Sequence, residues 1–365
     1  MSQPVTVTDL TFRRPGFQLG PVSFRVPAGG RFAIVGPSGS GKSTLLRCLA
    51  GLERQHGGSI RIGDQVAADE RIHLSPDRRK LGLVFQDGAL WPHMTALQHL
   101  QFAAPGLPKA EALALLQKAG LAEQADKRPA QLSGGQAQRL GLVRAMAPKP
   151  AVLLLDEPLR SVDVHQRDAL VLLVRTLADA TGTTTILVTH DRDEALALAD
   201  ELVVLHEGHL VEQGQALQLL QQPACAFTAA FLQGAACLPT TTTADGAVAT
   251  PFGTFPRPRG EAADLRLVLL AGDVRAEATA PGQRGPRGRI LAAVPGEAGL
   301  RLRVAVGEQI VPAMAATLLP VGSEAHLVLQ NPPRLLPWQR RPTANPDSNP
   351  DSNTSAHSNP NSNLA

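Results

Sequence analysis

The chain contains no tyrosine, and aromatic residues make up only 3% of its 365 positions. It also lacks any Lys/Arg block. A nucleic-acid surface needs clustered positive charge and stacking rings, so that class of function is disfavoured, and a net charge of +3 adds nothing to the other side. Cysteine is equally sparse. Cys48, Cys225 and Cys237 are too few and too scattered for a disulfide framework or a zinc site, and they suit a reducing compartment. No apolar run approaches the roughly eighteen residues of a membrane span. The opening "MSQPVTVTDLTFRRPG" shows neither the basic start nor the apolar centre of an export signal. The expectation is a cytoplasmic globular chain, 43% hydrophobic and long enough for two ordinary domains.

Three textures follow one another along the chain. Residues 1–235 alternate short apolar runs with helical stretches, the signature of an α/β fold. Within them the Leu/Ala-rich "KAEALALLQKAGL" has helical periodicity and belongs to the core of a helical subdomain at about 88–148. From residue 236 to 338, Thr, Pro and Gly punctuate short β-like runs ("DLRLVLL", "GRILAAV", "GLRLRVAV", "EAHLVLQ"), which predicts a small antiparallel barrel. Residues 339–365 hold repeated Asn-Pro-Asp-Ser units with almost nothing apolar, a composition expected to be disordered.

The strongest chemistry begins at Gly36. "GPSGSGKST", residues 36–44, follows the apolar run Phe32 to Val35 and precedes an amphipathic helix carrying Leu45, Leu46, Leu49 and Leu52. That flanking is the context of a phosphate-binding P-loop. Gly36, Pro37, Ser38, Gly39, Ser40 and Gly41 form a loop whose backbone N–H groups turn inward around phosphates, and the helix start adds positive potential. Lys42 supplies a charge to the β- and γ-phosphates. Ser43 ligates Mg²⁺, and Thr44 completes the loop.

"PAVLLLDEP", residues 150–158, has five apolar residues in a row, as a strand buried on both faces requires. Its carboxyl end carries Asp156, placed to hold Mg²⁺, and Glu157, placed to polarise the attacking water as a general base. Gln86 ends the run "KLGLVFQD" and His190 ends "TTTILVTHD". A Gln there can ligate Mg²⁺ and touch the water, and a His can donate to the γ-phosphate. Taken singly, each is an ordinary solvated strand end. A second loop, "QLSGGQAQRLG", also opens a helix with glycines, although one nucleotide needs only one such loop.

The order "GPSGSGKST", "VFQD", "LSGGQ", "LLLDEP", "VTHD" resembles the ATP-binding subunit of ABC transporters over residues 1 to about 235. The resemblance implies a P-loop NTPase of α/β class with a helical subdomain, followed by a small all-β, OB-like barrel domain and the disordered tail. It implies ATP and Mg²⁺ as cofactors. It further implies a homodimer, or pairing with a homologous ATPase subunit, in which Ser133, Gly134, Gly135 and Gln136 of one copy meet the γ-phosphate held by the other. Because the chain has no membrane span, the transmembrane part would be separate permease subunits, served indirectly by a substrate-binding protein. The ATPase would sit peripherally on the cytoplasmic side of the membrane. "DGALWPHMTALQHLQFA" is similar to the family's docking segment, so Leu90, Trp91, His93 and Met94 are expected to line the groove for the permease. The C-terminal part resembles the accessory domain of importers for iron(III), polyamines, sugars, sulfate or molybdate, loosely the iron(III)/polyamine/thiamine branch. The alternatives are a soluble ABC ATPase in a non-transport process, and a barrel acting mainly as a regulatory binding module.

Departures from the family pattern are informative. The usual adenine-stacking aromatic is absent, and Arg14 stands near that place between Phe12 and Phe17. The loop after Glu157 normally reads Ser-Ala-Leu-Asp and here reads Arg160-Ser161-Val162-Asp163, a change expected to alter the dimer contact. "HEGH", residues 206–209, looks like a metal fragment but reads as the turn of an exposed hairpin, and Cys48 as a packed rather than reactive thiol.

Overall fold

Alternation of buried and exposed positions sets the first sheet. β1 (Val5–Arg14) and β2 (Phe17–Val26) pair antiparallel, and β4 (Gly57–Ile62) and β5 (Gln65–Ala68) extend them in the order β2-β1-β4-β5. These strands belong to a computed structural model that describes residues 2–160, 162, 164–258, 264–280, 285–296 and 299–339. The tail predicted for 339–365 lies, except for Gln339, outside the described residues.

The near-continuous apolar runs form the second sheet. β3 (Arg31–Val35), β6 (Leu81–Val84), β7 (Val152–Asp156), β8 (Thr184–Thr189) and β9 (Glu201–His206) run parallel, with β10 (His209–Gln215) antiparallel at one edge, in the order β10-β9-β3-β8-β7-β6. Both faces are covered, so alternate residues of one strand enter different cores. Phe32 and Ile34 join the cluster shared with α1 (Lys42–Ala50) and the first sheet. Ala33 and Val35 join the cluster built with α2 (Ala96–Ala103), α3 (Lys109–Lys118), α4 (Gly134–Met146) and α5 (Val164–Thr181). Leu153 and Leu155 of β7 divide from Val152 and Leu154 in the same way.

The helix after the P-loop is shorter than its leucines suggest. It stops at Gly51, whose φ of 79° is left-handed, and Leu52 lies beyond it, 47% exposed rather than packed. The helix end is closed from outside. Buried Arg79 donates to the carbonyls of Cys48 (2.7 Å), Leu49 (2.8 Å) and Leu74 (2.9 Å), placing a cation at the negative end of the helix. Cys48 itself is fully buried, and burial pushes its thiol up to about 12, as expected of a packed residue.

α6 (Arg192–Leu198) precedes β9, and the short α7 (Ala216–Gln221) and α8 (Ala226–Thr228) follow β10. β9 and β10 form the hairpin read from "HEGH", with Glu207 and Gly208 both at positive φ. Glu207 and His209 are exposed as expected, but Gly208 between them is buried. Gly208 packs so closely on β2 that an added Cβ would lie 1.9 Å from the Gln18 carbonyl, and its N–H bonds the Ser40 carbonyl at 3.1 Å. His206 packs on Phe227 with the rings tilted and their centroids 3.9 Å apart.

Beyond residue 235 the described elements are strands, apart from one 3₁₀ turn at Ala271–Asp273. β11 (Ala236–Pro239), β15 (Leu265–Leu269) and β21 (Arg334–Pro337) form one small sheet, and β12 (Thr241–Thr242), β13 (Val248–Thr250) and β14 (Gly253–Phe255) another. β16 (Val274–Ala278), β17 (Arg287–Gly296), β18 (Gly299–Val306), β19 (Gln309–Ala315) and β20 (Glu324–Leu329) close into a barrel. Two expectations are corrected here. "DLRLVLL" forms β15, outside the barrel, and the barrel is not wholly antiparallel, because β16 meets β19 in parallel at Arg275 and Met314. The reason is topological: a closed ring with an odd number of strands cannot alternate direction throughout, so one pair must run parallel. The last strand leads to Trp338, whose carbonyl accepts from the Phe227 N–H at 3.1 Å and ties the barrel region back to the α/β part.

Candidate functional site

Four of the sequence-predicted segments leave the carboxyl ends of adjacent parallel strands: the P-loop after β3, Gln86 after β6, Asp156 and Glu157 at the end of β7, and His190 after β8. Because the strands run the same way, these ends share one edge of the sheet, where open α/β folds bind ligands. A cavity there is lined by Arg14, Phe17, Ser38, Gly39, Gly41, Lys42, Ser43, Thr44, Gln86, Glu157 and Arg160.

The P-loop folds on itself. Gly36 has φ 152°, and a Cβ there would fall 2.1 Å from the Leu205 carbonyl, so only glycine fits. The Lys42 ammonium donates to the carbonyls of Gly36 and Pro37, each at 2.9 Å. Burial pulls its pKa down, opposed by the charges of Glu157 and Asp156. Ser40 is buried behind the loop, and its carbonyl receives the hairpin tip. Ser43 Oγ donates to Asp156 Oδ1 at 3.2 Å, uniting the two residues assigned to Mg²⁺. Burial raises the Asp156 carboxyl, against the opposing Ser43 bond.

Glu157 sits at φ 46°, a conformation sparsely used by side-chain-bearing residues and often seen at functional sites. His190 Nδ1 lies 3.0 Å from Glu157 Oε1, and Arg160 donates to Oε2 at 2.9 Å. Burial would raise this carboxyl, but the bonds from His190 and Arg160 outweigh it and hold the pKa below its usual range. Arg160 is the participant that sequence reasoning assigned elsewhere, to a dimer contact. The three-residue offset from Glu157 gave no signal of this contact, because it depends on the positive φ at Glu157.

Phe12 does not reach the cavity. It is buried in the first sheet, edge-on to His56. The Arg14 guanidinium instead lies over the Phe17 ring, 5.0 Å from its centroid, at the cavity mouth.

Ser133, Gly134, Gly135 and Gln136 do not line this cavity. They open α4 through a capping box: Ser133 Oγ accepts from the Gln136 N–H at 3.3 Å, and Gln136 Oε1 accepts from the Ser133 N–H at 3.0 Å. The amides of Gly134 and Gly135 have no carbonyl one turn back within the helix to satisfy them.

The family of this arrangement is settled by comparison. The sequence profile described as ABC transporter matches residues 19–160. The sulfate/thiosulfate import ATP-binding protein CysA of Mycobacterium bovis is 40% identical over 301 residues, covering 80% of this chain and 79% of that protein. The chain belongs to the ABC transporter family. The Fe(3+) ions import ATP-binding protein FbpC of Pseudomonas fluorescens is 45% identical over 222 residues, 60% of this chain and 63% of that one. A solved dimeric ATP-binding cassette in a post-hydrolysis state with ADP and Pi superposes with a TM-score of 0.51 at 30% identity, covering 58% of this chain and 98% of that one. As an ABC ATPase, this subunit binds and hydrolyses ATP. Among its described residues no helix is long and apolar enough to cross a membrane.

A buried acid beside the site makes the ATPase's stability pH-dependent. Glu194, 6% exposed on α6, is pushed up to about 7 by burial, with the Thr189 bond opposing and Asp191 adding. The unfolded chain releases this proton near the ordinary 4.5, whereas the folded chain keeps it until about 7. The stabilisation is therefore complete below the lower value and lost as pH rises through the upper one. Glu194→Gln is expected to gain about 2 kcal/mol relative to wild type between pH 5 and pH 8. Urea unfolding at the two pH values measures it, and an unchanged difference would contradict the assignment.

Proposed function

We propose that this chain is the ATP-hydrolysing motor of an importer, acting as a head-to-tail pair on separate membrane subunits from the cytoplasmic face. The observation that carries the reading is a division of parts. Lys42, Ser43, Asp156, Glu157 and His190 converge at one sheet edge, while Gly134 and Gly135 do not line that cavity. A helix start with free amides is an anion site in search of a second nucleotide, which another copy would hold.

Within one copy the P-loop amides and Lys42 would bind the β- and γ-phosphates. Ser43, Asp156 and Gln86 fit Mg²⁺, since Ser43 and Gln86 line the cavity and Asp156 is bonded to Ser43. Among the described residues no cluster of three or more His, Cys, Asp or Glu is built to hold a metal. That suits an ion that takes few protein ligands and completes its shell with phosphates and water. When bound it would neutralise charge on the phosphate oxygens. Glu157 would accept a proton from the attacking water, with His190 fixing one carboxylate oxygen. Arg14, laid over Phe17, would stack on adenine in place of the missing aromatic.

Residues 1–235 form the ATPase domain in this reading, and 236–338 an accessory domain. Trp91 is the centre of the permease groove: it packs against Phe102 with centroids 4.8 Å apart, lies under the Arg144 guanidinium, and leaves Phe102 57% exposed. Leu90, His93 and Met94 flank it on the same segment. The similar proteins import solutes as unlike as sulfate and Fe(3+), so the solute is set by subunits outside this chain. Affinity purification of the full chain from detergent-solubilised native membranes is expected to bring down a polytopic membrane protein, and Trp91→Ala to lose it without losing ATP hydrolysis. Recovery of only soluble partners would favour a non-transport ABC ATPase.

A further inference from the structure

Glu157 and Arg160 are shared by two cavities. One is the P-loop cavity with Ser38, Lys42, Ser43 and Gln86, and the other is a polar pocket with Arg167, Thr189, His190, Asp191 and Glu194. The Arg160 side chain thus stands in the wall between the phosphate end and the histidine side of the general base. Its acceptor is the buried member of the pair, since the Glu157 side chain is 11% exposed and that of Arg160 55%. An ion pair on open surface contributes little to stability. One that reaches from solvent to the catalytic carboxylate is placed for chemistry instead.

We propose that Arg160 is a catalytic cation, supplied by the same chain that holds the nucleotide, which acts on the terminal phosphate together with Glu157. The inference rests on the reading of this cavity as the ATP site. In hydrolysis the water oxygen bonds to the γ-phosphorus and the bond to the β–γ bridging oxygen breaks. ADP leaves with that electron pair, and the water proton passes to Glu157. Negative charge spreads over the γ-oxygens and the bridging oxygen in a loose transition state, and fixed donors aimed there lower the barrier. Lys42 serves these oxygens from the loop side. Arg160 approaches from the side of the base. A guanidinium carries five N–H donors in a planar fork, so one can remain on Glu157 Oε2 while others meet phosphate oxygen. The serine usual at this position in the resembling family has one donor and no charge. The same contact orients the base, because His190 and Arg160 each hold one of its two oxygens.

The test compares Arg160→Ser, Arg160→Gln and Arg160→Lys with wild type in the full-length protein. ATP hydrolysis, the KM for ATP, ADP affinity, and inhibition by orthovanadate with ADP, which mimics the transferring phosphoryl group, are measured for each. The Ser and Gln variants are expected to lose about 10- to 100-fold in kcat, less than a trans-acting arginine finger supplies because Lys42 remains. KM and ADP affinity should change less than about threefold, because the P-loop holds the ground state. Vanadate inhibition should weaken by roughly the factor lost in kcat, and Lys should recover part of both because it restores the charge. Wild-type turnover in the Ser and Gln variants overturns the proposal. So does a loss of kcat with no change in vanadate inhibition, which is the mark of a merely structural role. The underlying site reading fails separately: it falls if wild type does not hydrolyse ATP or if Glu157→Gln remains active, whatever Arg160 does.

Discussion

Replacing Glu157 with Gln is expected to reduce ATP turnover by about 10²–10⁴-fold while leaving ATP binding in place. An amide cannot take the water proton, yet it keeps the shape of the carboxylate. Its oxygen can face the Arg160 guanidinium and its NH₂ the His190 ring, so the two existing contacts, at 2.9 Å and 3.0 Å, persist in altered form. The P-loop contacts of Lys42 and the Ser43–Asp156 pair lie on other residues and should be untouched. With binding intact and hydrolysis blocked, the two-copy assembly should accumulate on ATP, because the step that reopens it is gone. Phosphate release gives the rate, equilibrium nucleotide titration the binding, and light scattering with and without ATP the assembly. A variant that turns over like wild type would remove Glu157 from the role of base.

The second large effect is expected from Gly135→Asp. A Cβ at this position meets only the far end of the exposed Gln166 side chain, which can swing aside, so the fold should survive. An acidic residue in the first turn of a helix is even favourable to the helix itself. It would nevertheless place a negative charge beside the Gly134 and Gly135 amides, which the proposed pairing offers to another copy's γ-phosphate. Hydrolysis should fall by about 10²-fold or more, as when a donor to developing negative charge is removed. Binding of ATP by the single subunit should stay within a few-fold of wild type, because Ser133 to Gln136 do not line that subunit's own cavity. If single-subunit binding fell as far as hydrolysis, the loop would be acting within its own chain and the head-to-tail pairing would be wrong.

The parts of this site that were legible beforehand share a physical property. Each is a local requirement: phosphates demand consecutive inward amides and a lysine at fixed offset, and a doubly covered strand demands an unbroken apolar run before its acidic end. Gln86 and His190 were readable only through their order, since nothing in a strand-terminal Gln or His singles it out. Other features depend on where distant segments meet. Leu52 keeps helical spacing, but Gly51 and the buried Arg79 end the helix before it. The "HEGH" turn is exposed at Glu207 and His209, yet its Gly208 is packed against β2 and the P-loop. "DLRLVLL" has the pattern of a barrel strand but pairs with β11 and β21 instead, because period-two patterning shows which face is buried and not which neighbour supplies the hydrogen bonds.

The amino-acid sequence by itself determined that this chain is a P-loop ATPase with a second glycine-rich helix start, because backbone geometry around phosphate tolerates few residue types at few spacings. Only the tertiary structure decided where Arg160 goes. Its long side chain could have turned outward to another copy or inward to its own chain. The left-handed turn at Glu157 brings the third residue after it back within 2.9 Å of the base. A contact made by that fold of the backbone leaves no spacing in the sequence from which to read it.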